Sequence, residues 1–167
     1  MKRVLVPLSI VLILISCSKN NGNSAEFYFR FKANGIQKEY LITGAYFYNE
    51  RQCVLSGAAD SAAVNSITVD LESTVKIKAD TTYIEKQALQ TRNYPKFYIR
   101  LRDNSAGYNY CSWVTIAAGA DIYDCTVTLL ELDANHVKGR LTGKVSNETE
   151  TAFITITDGE FNLKRIR

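Results

Sequence analysis

Residue types that commonly do chemistry are sparse in this 167-residue chain, which has one histidine and four cysteines. A single histidine excludes metal sites that need several histidine ligands, and it leaves His136 as the one imidazole base for a nucleophile. His136 follows Asp133-Ala134-Asn135 between two apolar segments, where Asp and Asn favour a solvated hairpin turn. We predict a turn histidine. A pairing of His136 with Cys53 stays open, but no sequence feature supports it.

Paired carboxylates are the second candidate for catalysis, since two of them can hydrolyse a glycoside as acid and base. Three pairs stand close together in the sequence: Asp121 and Asp124, Asp70 and Glu72, Glu148 and Glu150. Pairs of this kind are also common as solvating side chains and indicate no particular activity. The sequence has no calcium-ligand loop, Gly-rich phosphate loop, H-E-x-x-H or C-x-x-C motif. We therefore predict no metal and no cofactor.

Tyrosine is abundant, with 10 in the chain. Its flat apolar face and polar tip suit stacking on sugars or contact with another protein. Tyr98, Tyr108 and Tyr110 lie in segments predicted as strands, and we name them as candidate ligand contacts. Because tyrosine is also a common strand former, a purely structural role is the alternative.

Three cysteines follow residue 25: Cys53, Cys111 and Cys125. A hairpin of residues 108–116 and 122–132 around 117–119 would place Cys111 opposite Cys125. Such a pair can form a disulfide when the two Cβ atoms lie about 3.8 Å apart. We predict this bridge, with buried thiols as the alternative, and we expect Cys53 to be an inert core residue.

The first 16 residues have the pattern of an export signal. A basic start, Met-Lys-Arg, precedes an apolar run over residues 4–15 that is too short to span a bilayer as a helix. Leu14-Ile15-Ser16-Cys17 resembles the lipobox of bacterial lipoproteins, in which the cysteine thiol receives a diacylglyceryl group. The resemblance implies a signal peptide over residues 1–16, lipidation of Cys17 and a polar tether over residues 17–25. An ordinary secretory signal is the alternative.

The residues beside Cys17 suggest a location. In the lipoproteins that the lipobox resembles, an Asp after the cysteine retains the protein in the inner membrane, whereas this chain has Ser18. An acidic cluster typical of surface export in Bacteroidota is missing too. We predict an outer-membrane anchor facing the periplasm. The net charge of +3 falls when Lys2 and Arg3 are removed, which gives no reason to expect nucleic acid as a partner.

The elements that must position these residues are β-strands. Apolar and polar residues alternate over residues 27–32, 67–71, 96–102 and 137–145, a pattern typical of strands with one buried and one solvated face. Asn34-Gly35 supplies the two positive-φ residues of a tight hairpin turn. Alternation of this kind is typical of antiparallel sheets over one core.

We predict one all-β domain over residues 26–167, an antiparallel β-sandwich or flattened barrel of about 9–10 strands. At most one short helix is expected, over residues 83–92, because Thr82 and Glu85 have capping-box spacing there.

The two ends of this domain resemble small Bacteroidota outer-membrane lipoproteins of unknown function. Residues 29–35 match their F-x-F-x-x-N-G start, and residues 137–143 match their G-x-[FL]-x-[AG] strand. Residues 154–162 match their closing I-T-x-G-x-F-N. The middle of the chain is unmatched. The resemblance implies the envelope location and the β architecture, and it implies no activity.

The function predicted from these observations is a lipid-anchored, non-enzymatic β-domain that binds a ligand or a protein. The expected partners are the membrane, through Cys17, and an envelope protein or glycan. One alternative is a carboxylate-based glycan hydrolase. Another is a lipocalin-like carrier, for which Gly139 and Gly143 on an inward face would make room.

Overall fold

The computed structural model describes residues 26–84, 96–104, 108–112, 125–147, 149 and 151–166. Within these ranges the chain forms eleven strands and no helix. In chain order the strands are β1 (Tyr28–Ala33), β2 (Ile36–Tyr40), β3 (Ile42–Asn49), β4 (Gln52–Ala58), β5 (Ser66–Glu72), β6 (Thr81–Ile84), β7 (Lys96–Asp103), β8 (Tyr108–Cys111), β9 (Thr126–Leu132), β10 (His136–Asn147) and β11 (Phe153–Ile166). The predicted all-β class is confirmed.

The strands form one sheet that closes on itself. The order is β2-β1-β11-β3-β4-β5-β7-β8-β10-β9-β6, and β11 also pairs with β10. Seven strands therefore form a closed ring, while β1 with β2 and β9 with β6 extend from it. This is a sandwich with joined corners, or a flattened barrel. One pairing differs from the antiparallel prediction, because β3 and β11 run parallel.

We call β3, β4, β5, β7 and β8 the front half of the sheet and the other six strands the back half. The two halves face each other across one apolar core. Phe29 of β1 lies so close to Gly57 of β4 that a Cβ on Gly57 would lie 2.7 Å from the Cβ of Phe29. The Phe29 ring centroid is 5.3 Å from that of Phe161 and 6.2 Å from that of Phe31. Each of these fully buried rings contributes about 1.5–3 kcal/mol through burial.

The first hairpin forms as its turn residues predict. Asn34 and Gly35 have φ values of 49° and 82°, which suit the tight turn between β1 and β2. The Asn34 side chain also reaches β11, where its Oδ1 accepts a hydrogen bond of 2.8 Å from the Thr155 N–H. The turn therefore fixes the hairpin to the far end of the chain.

A bulge in β11 shifts the register in which β11 pairs with its neighbours β1 and β10. The pairing registers of both β1 and β10 with β11 shift beside Asp158 and Gly159, and Asp158 has a φ of 50°. A Cβ on Gly159 would lie 2.3 Å from the Leu141 carbonyl oxygen, so only glycine fits there. The Asp-Gly motif in the closing segment thus encodes the fold.

The candidate helix over residues 83–92 does not begin at Tyr83. Tyr83 and Ile84 end β6, in which Thr81 to Ile84 pair with β9. β-Branched and aromatic side chains favour a strand over a helix, and the partner strand overrides the capping-box signal. Residues 85–92 of the predicted helix lie outside the described residues.

An inward-pointing charge lies on the edge strand β2. Lys38 pairs directly with the buried Phe31 and so faces the other half, where its Nζ lies 3.4 Å from Asp103 Oδ2. Burial, with a smaller contribution from Asp103, raises the pKa of the neighbouring Tyr40 to about 12. A charged side chain turned inward on an edge strand disfavours pairing with another chain.

Candidate functional site

A groove crosses the outer face of the front half, and its volume is about 300 Å³. Two rows of directly paired residues line it: Gly44, Ser56, Thr68 and Arg100 in one row, and Ile42, Ala58, Ser66 and Arg102 in the next. Paired residues on neighbouring strands point to the same face of a sheet. The volume lies at the lower end of the range for ligand pockets, which is about 300–1,000 Å³.

The groove is concave because side-chain size changes across the sheet. Small residues on β4 and β5 form its floor, and longer side chains on β3 and β7 form its walls. At the β3 wall, a Cβ on Gly44 would lie 2.7 Å from Ile166 Cδ1 and 3.1 Å from Tyr46 Cε2. The Tyr46 ring therefore lies beside this glycine, and it is 44% exposed and lines the groove.

Arg100 in the opposite wall is held in place by two neighbours. Its Nη2 lies 3.0 Å from Asp70 Oδ2, and its guanidinium carbon lies 5.4 Å from the centroid of the Tyr98 ring. Burial, with a smaller contribution from Asp70, raises the pKa of Tyr98. Arg100 is therefore partly neutralised and oriented.

Arg102, the second arginine of that wall, has a different environment. It is exposed, and the described residues form no ion pair with it. The nearby floor hydroxyls are oriented by backbone carbonyls, since Ser56 Oγ donates to the Gly44 oxygen and Ser66 Oγ donates to the Ala63 oxygen, each at 3.1 Å. Their lone pairs remain able to accept hydrogen bonds from a ligand.

The three tyrosines predicted to contact a ligand lie in different places. Tyr98 is 42% exposed, on the outer face next to Arg100. The prediction is wrong for Tyr110, which is 5% exposed, because its pairing with Leu101 turns it into the core. Tyr108 pairs with Asp103 through β8, and its side chain lies outside the described residues.

The predicted Cys111–Cys125 disulfide is not formed, and Cys53 is also a thiol. Cys111 pairs with Ser146 on the outer face, whereas Cys125 is fully buried on the inner face, against Gly143. The two strands pair with successive stretches of β10 rather than with each other. Thiols on opposite faces cannot reach disulfide geometry. The proposed turn over residues 117–119 lies outside the described residues.

Cys53 has the environment of an inert thiol. It is fully buried, and burial raises the pKa of its thiol to about 12. The thiolate is the reactive form, so Cys53 is a core residue.

His136, predicted to lie in the turn, is the first residue of β10 and lies between two carboxylates. Its Nε2 is 3.1 Å from Glu131 Oε2, and its Nδ1 is 3.0 Å from Asp133 Oδ2. Hydrogen bonds from His136 and Lys138 lower the pKa of Glu131, and backbone N–H groups of Asn135 and His136 lower the pKa of Asp133. Both ring nitrogens face carboxylates, so neither is directed at a nucleophile.

Of the three carboxylate pairs, the one that lies within the described residues, Asp70 and Glu72, does not line the groove. Asp70 is bound to Arg100, and Glu72 is exposed at the end of β5. The other predicted acids, Asp121, Asp124, Glu148 and Glu150, lie outside the described residues. Over the part of the chain that the structure describes, no group of three or more His, Cys, Asp or Glu side chains is arranged to hold a metal.

Gly139 and Gly143 do not open an interior cavity. A Cβ on Gly139 would lie 2.4 Å from the Phe161 ring, and one on Gly143 would lie 2.3 Å from Cys125 Sγ. The space beside each glycine is therefore filled by a side chain of the protein itself. These two positions leave no room for a carried ligand.

Most residues of the groove could not be identified as a binding face from the sequence. Arg100 and Arg102 were part of a polar alternation that suits a solvated face as well as a binding face. The signal available was side-chain size, because Ser56 and Ala58 alternate with core residues and place small groups on the outer face at the end of β4. Sequence alone does not say which strands lie beside β4.

Comparisons with known proteins give no relative. No protein-family model, curated protein or solved structure matches this chain. Among the residues that the structure describes, no helix is long and apolar enough to cross a membrane.

Proposed function

We propose that this chain is a lipid-anchored module of the outer membrane that binds a ligand in the groove of its front half. The groove is the observation that carries this proposal, because it joins a concave shape to oriented hydrogen-bonding groups and two arginines. The lipobox around Cys17 supports the anchor. Residues 17–25 form the tether, and the periplasmic face is the proposed side.

The composition of the groove favours binding over hydrolysis. A glycosidase of the usual type needs two carboxyl groups about 5–10 Å apart across the bond that it cleaves. The described residues that line the groove include no acid and no histidine. Asp70, on β5 beside the groove, is bound to Arg100. We therefore propose a module without catalytic activity, whose partner is a glycan or an envelope protein.

Photo-crosslinking in the native envelope tests this proposal. A benzophenone amino acid at Ile42, which is 52% exposed beside the groove, should give a mass-shifted adduct on irradiation. Leu130, an apolar residue of the back half with 39% exposure, provides the matched control position. Adducts from both positions alike, or from neither, would contradict an occupant specific to the groove.

The anchor is tested separately by metabolic labelling with a fatty-acid analogue. The full chain should incorporate the label, and Cys17→Ala should not. Equal labelling of both would contradict lipidation at Cys17 and leave the groove proposal unaffected.

A further inference from the structure

The charge of the groove is unbalanced. Its lining carries two arginines and no acid among the described residues. Asp70 compensates Arg100, and Asp103, which follows Arg102 in the chain, faces the other side of the sheet and binds Lys38. Arg102 therefore has no described ion-pair partner, and it gives this wall of the groove a net positive charge.

The floor of the groove offers side chains rather than backbone groups. β4 pairs with β3 and β5, and β5 pairs with β4 and β7, so the main chains of both floor strands are hydrogen-bonded within the sheet. An extended peptide gains affinity mainly through free main-chain groups at a sheet edge. Hydroxyl groups with an aromatic face, as Ser56, Ser66 and Tyr46 provide, suit a saccharide instead.

The groove is wide enough for more than one sugar unit. From β3 to β7 it crosses three strand spacings, or about 14 Å between Cα positions. Tyr46 lies on the first of these strands and Arg102 on the last. A ligand that reaches both walls must therefore be longer than a single sugar ring.

We infer that the groove binds an acidic oligosaccharide, a chain of two or more sugar units of which one carries a carboxylate. The carboxylate binds the planar guanidinium of Arg102, whose fork of N–H donors matches two carboxylate oxygens. A neighbouring ring packs on Tyr46, and sugar hydroxyls bind Ser56 and Ser66. This inference rests on the proposed function and names the class of ligand for the same groove.

An oligosaccharide array with paired members tests the inference. The array carries uronic-acid oligosaccharides of several linkages beside their carboxyl-reduced forms, which keep the ring and lack the charge. The full chain in detergent should bind at least one acidic member about tenfold or more tightly than its reduced form, equivalent to about 1.4 kcal/mol.

Three variants assign the effect to the guanidinium. We expect Arg102→Ala to weaken binding of the acidic member about tenfold, and Arg102→Lys to recover only part of it, because an ammonium lacks the planar fork. Arg140→Ala is the matched control, since Arg140 is an exposed arginine on the outer face of the back half. It should leave the affinity unchanged, and the melting temperature of each variant reports on folding.

The other outcomes are decisive as well. Equal binding of acidic and carboxyl-reduced members, or binding that Arg102→Ala leaves unchanged, would overturn the acidic specificity and leave the binding module intact. Binding to acidic peptides and to no saccharide would overturn the inference. Absence of binding to every saccharide would overturn it too, and crosslinking at Ile42 would then decide separately whether the groove has an occupant.

Discussion

The outer faces of the two halves of the sheet share one strand pattern and differ in how side-chain size and charge are combined. On the back half, Arg30 lies 2.7 Å from Glu39 and 3.8 Å from Glu160, and Lys32 lies 2.8 Å from Asp158. Each of these cations has a carboxylate beside it on a neighbouring strand, at the ordinary spacing of cross-strand pairs.

On the front half the outward-facing cations, Arg100 and Arg102, have different surroundings. Arg100 is paired with the carboxylate of Asp70, whereas Arg102 has no ion-pair partner among the described residues. Small side chains of β4 and β5 line the groove between these arginines on β7 and the wall on β3. Matched charges on long side chains make a level, hydrated surface. Small residues beside an unmatched charge make a concave surface that favours an anion. A binding face therefore differs from a solvated face in the size of its side chains and the balance of its charges, because both faces share the same alternation of apolar and polar residues.

The largest expected effect comes from filling the groove, which tests whether the two outer faces differ in ligand binding. Thr68→Trp places a large ring on the floor and should weaken ligand binding about 100-fold, or about 2.7 kcal/mol, because the concave volume is lost. Thr142→Trp puts the same ring on the outer face of the back half, where Thr142 is exposed, and should leave binding unchanged. Affinity for the acidic oligosaccharide is the measurement, with urea unfolding as the check on folding. Equal losses in both variants would show that the two faces do not differ in function.

A smaller effect is expected from the charge beside Arg100. Asp70→Asn removes the carboxylate that Arg100 binds and should tighten binding of the acidic oligosaccharide about threefold, because a second guanidinium becomes available. Glu160→Gln removes a carboxylate from the back half and should not change affinity. Exposed ion pairs contribute about 0–1 kcal/mol, so both variants should unfold close to the wild type. Weaker binding by Asp70→Asn would mean that Asp70 serves to orient Arg100.

The smallest effect concerns acid stability in the β9–β10 turn of the back half. The folded state lowers the pKa values of Glu131 and Asp133, so their stabilisation is complete above their ordinary pKa values and is lost as pH falls through the lowered ones. Glu131→Gln should be slightly less stable than the wild type at pH 6, and the difference should disappear towards pH 3. Urea midpoints across this range measure it. Glu72→Gln is the control for an exposed carboxylate without a described ion pair, and an equal pH dependence in that variant would contradict a role for the turn.

Much of the fold could be predicted because it depends on local patterns. Alternation over residues 137–145 predicted a strand, and Asn34-Gly35 predicted a turn with two positive φ values. The parallel pairing of β3 with β11 could not be predicted, since it joins segments more than 100 residues apart through a few hydrogen bonds. The strand at Tyr83 and Ile84, where the candidate helix would begin, has the same origin, because β9 supplies the partner that makes Thr81 to Ile84 a strand.

The site was less predictable, for reasons of register. Shifting a strand by one residue exchanges its two faces, and the pairing of Tyr110 with Leu101 places it in the core. Tyr98 lies on the outer face of the sheet, where its side chain is open to a ligand. The disulfide prediction assumed a hairpin of residues 108–116 and 122–132, whereas the strands described within these ranges, β8 and β9, both pair with β10. Which strands become neighbours is a property of the whole chain.

The pairing of β1 with β11 limits the order in which the sheet can assemble. β1 near one end of the chain pairs with β11 near the other, in a register from Tyr28–Asn162 to Ala33–Ile156. A polypeptide that emerges from a ribosome or a translocation channel N-terminus first must therefore keep β1 without its β11 partner until β11 has followed. Long-range pairing of this kind slows folding, because the loop-closure entropy is lost before the contacts form. The β1–β11 pairing, and with it the complete sheet, can therefore form only after the last strand has emerged.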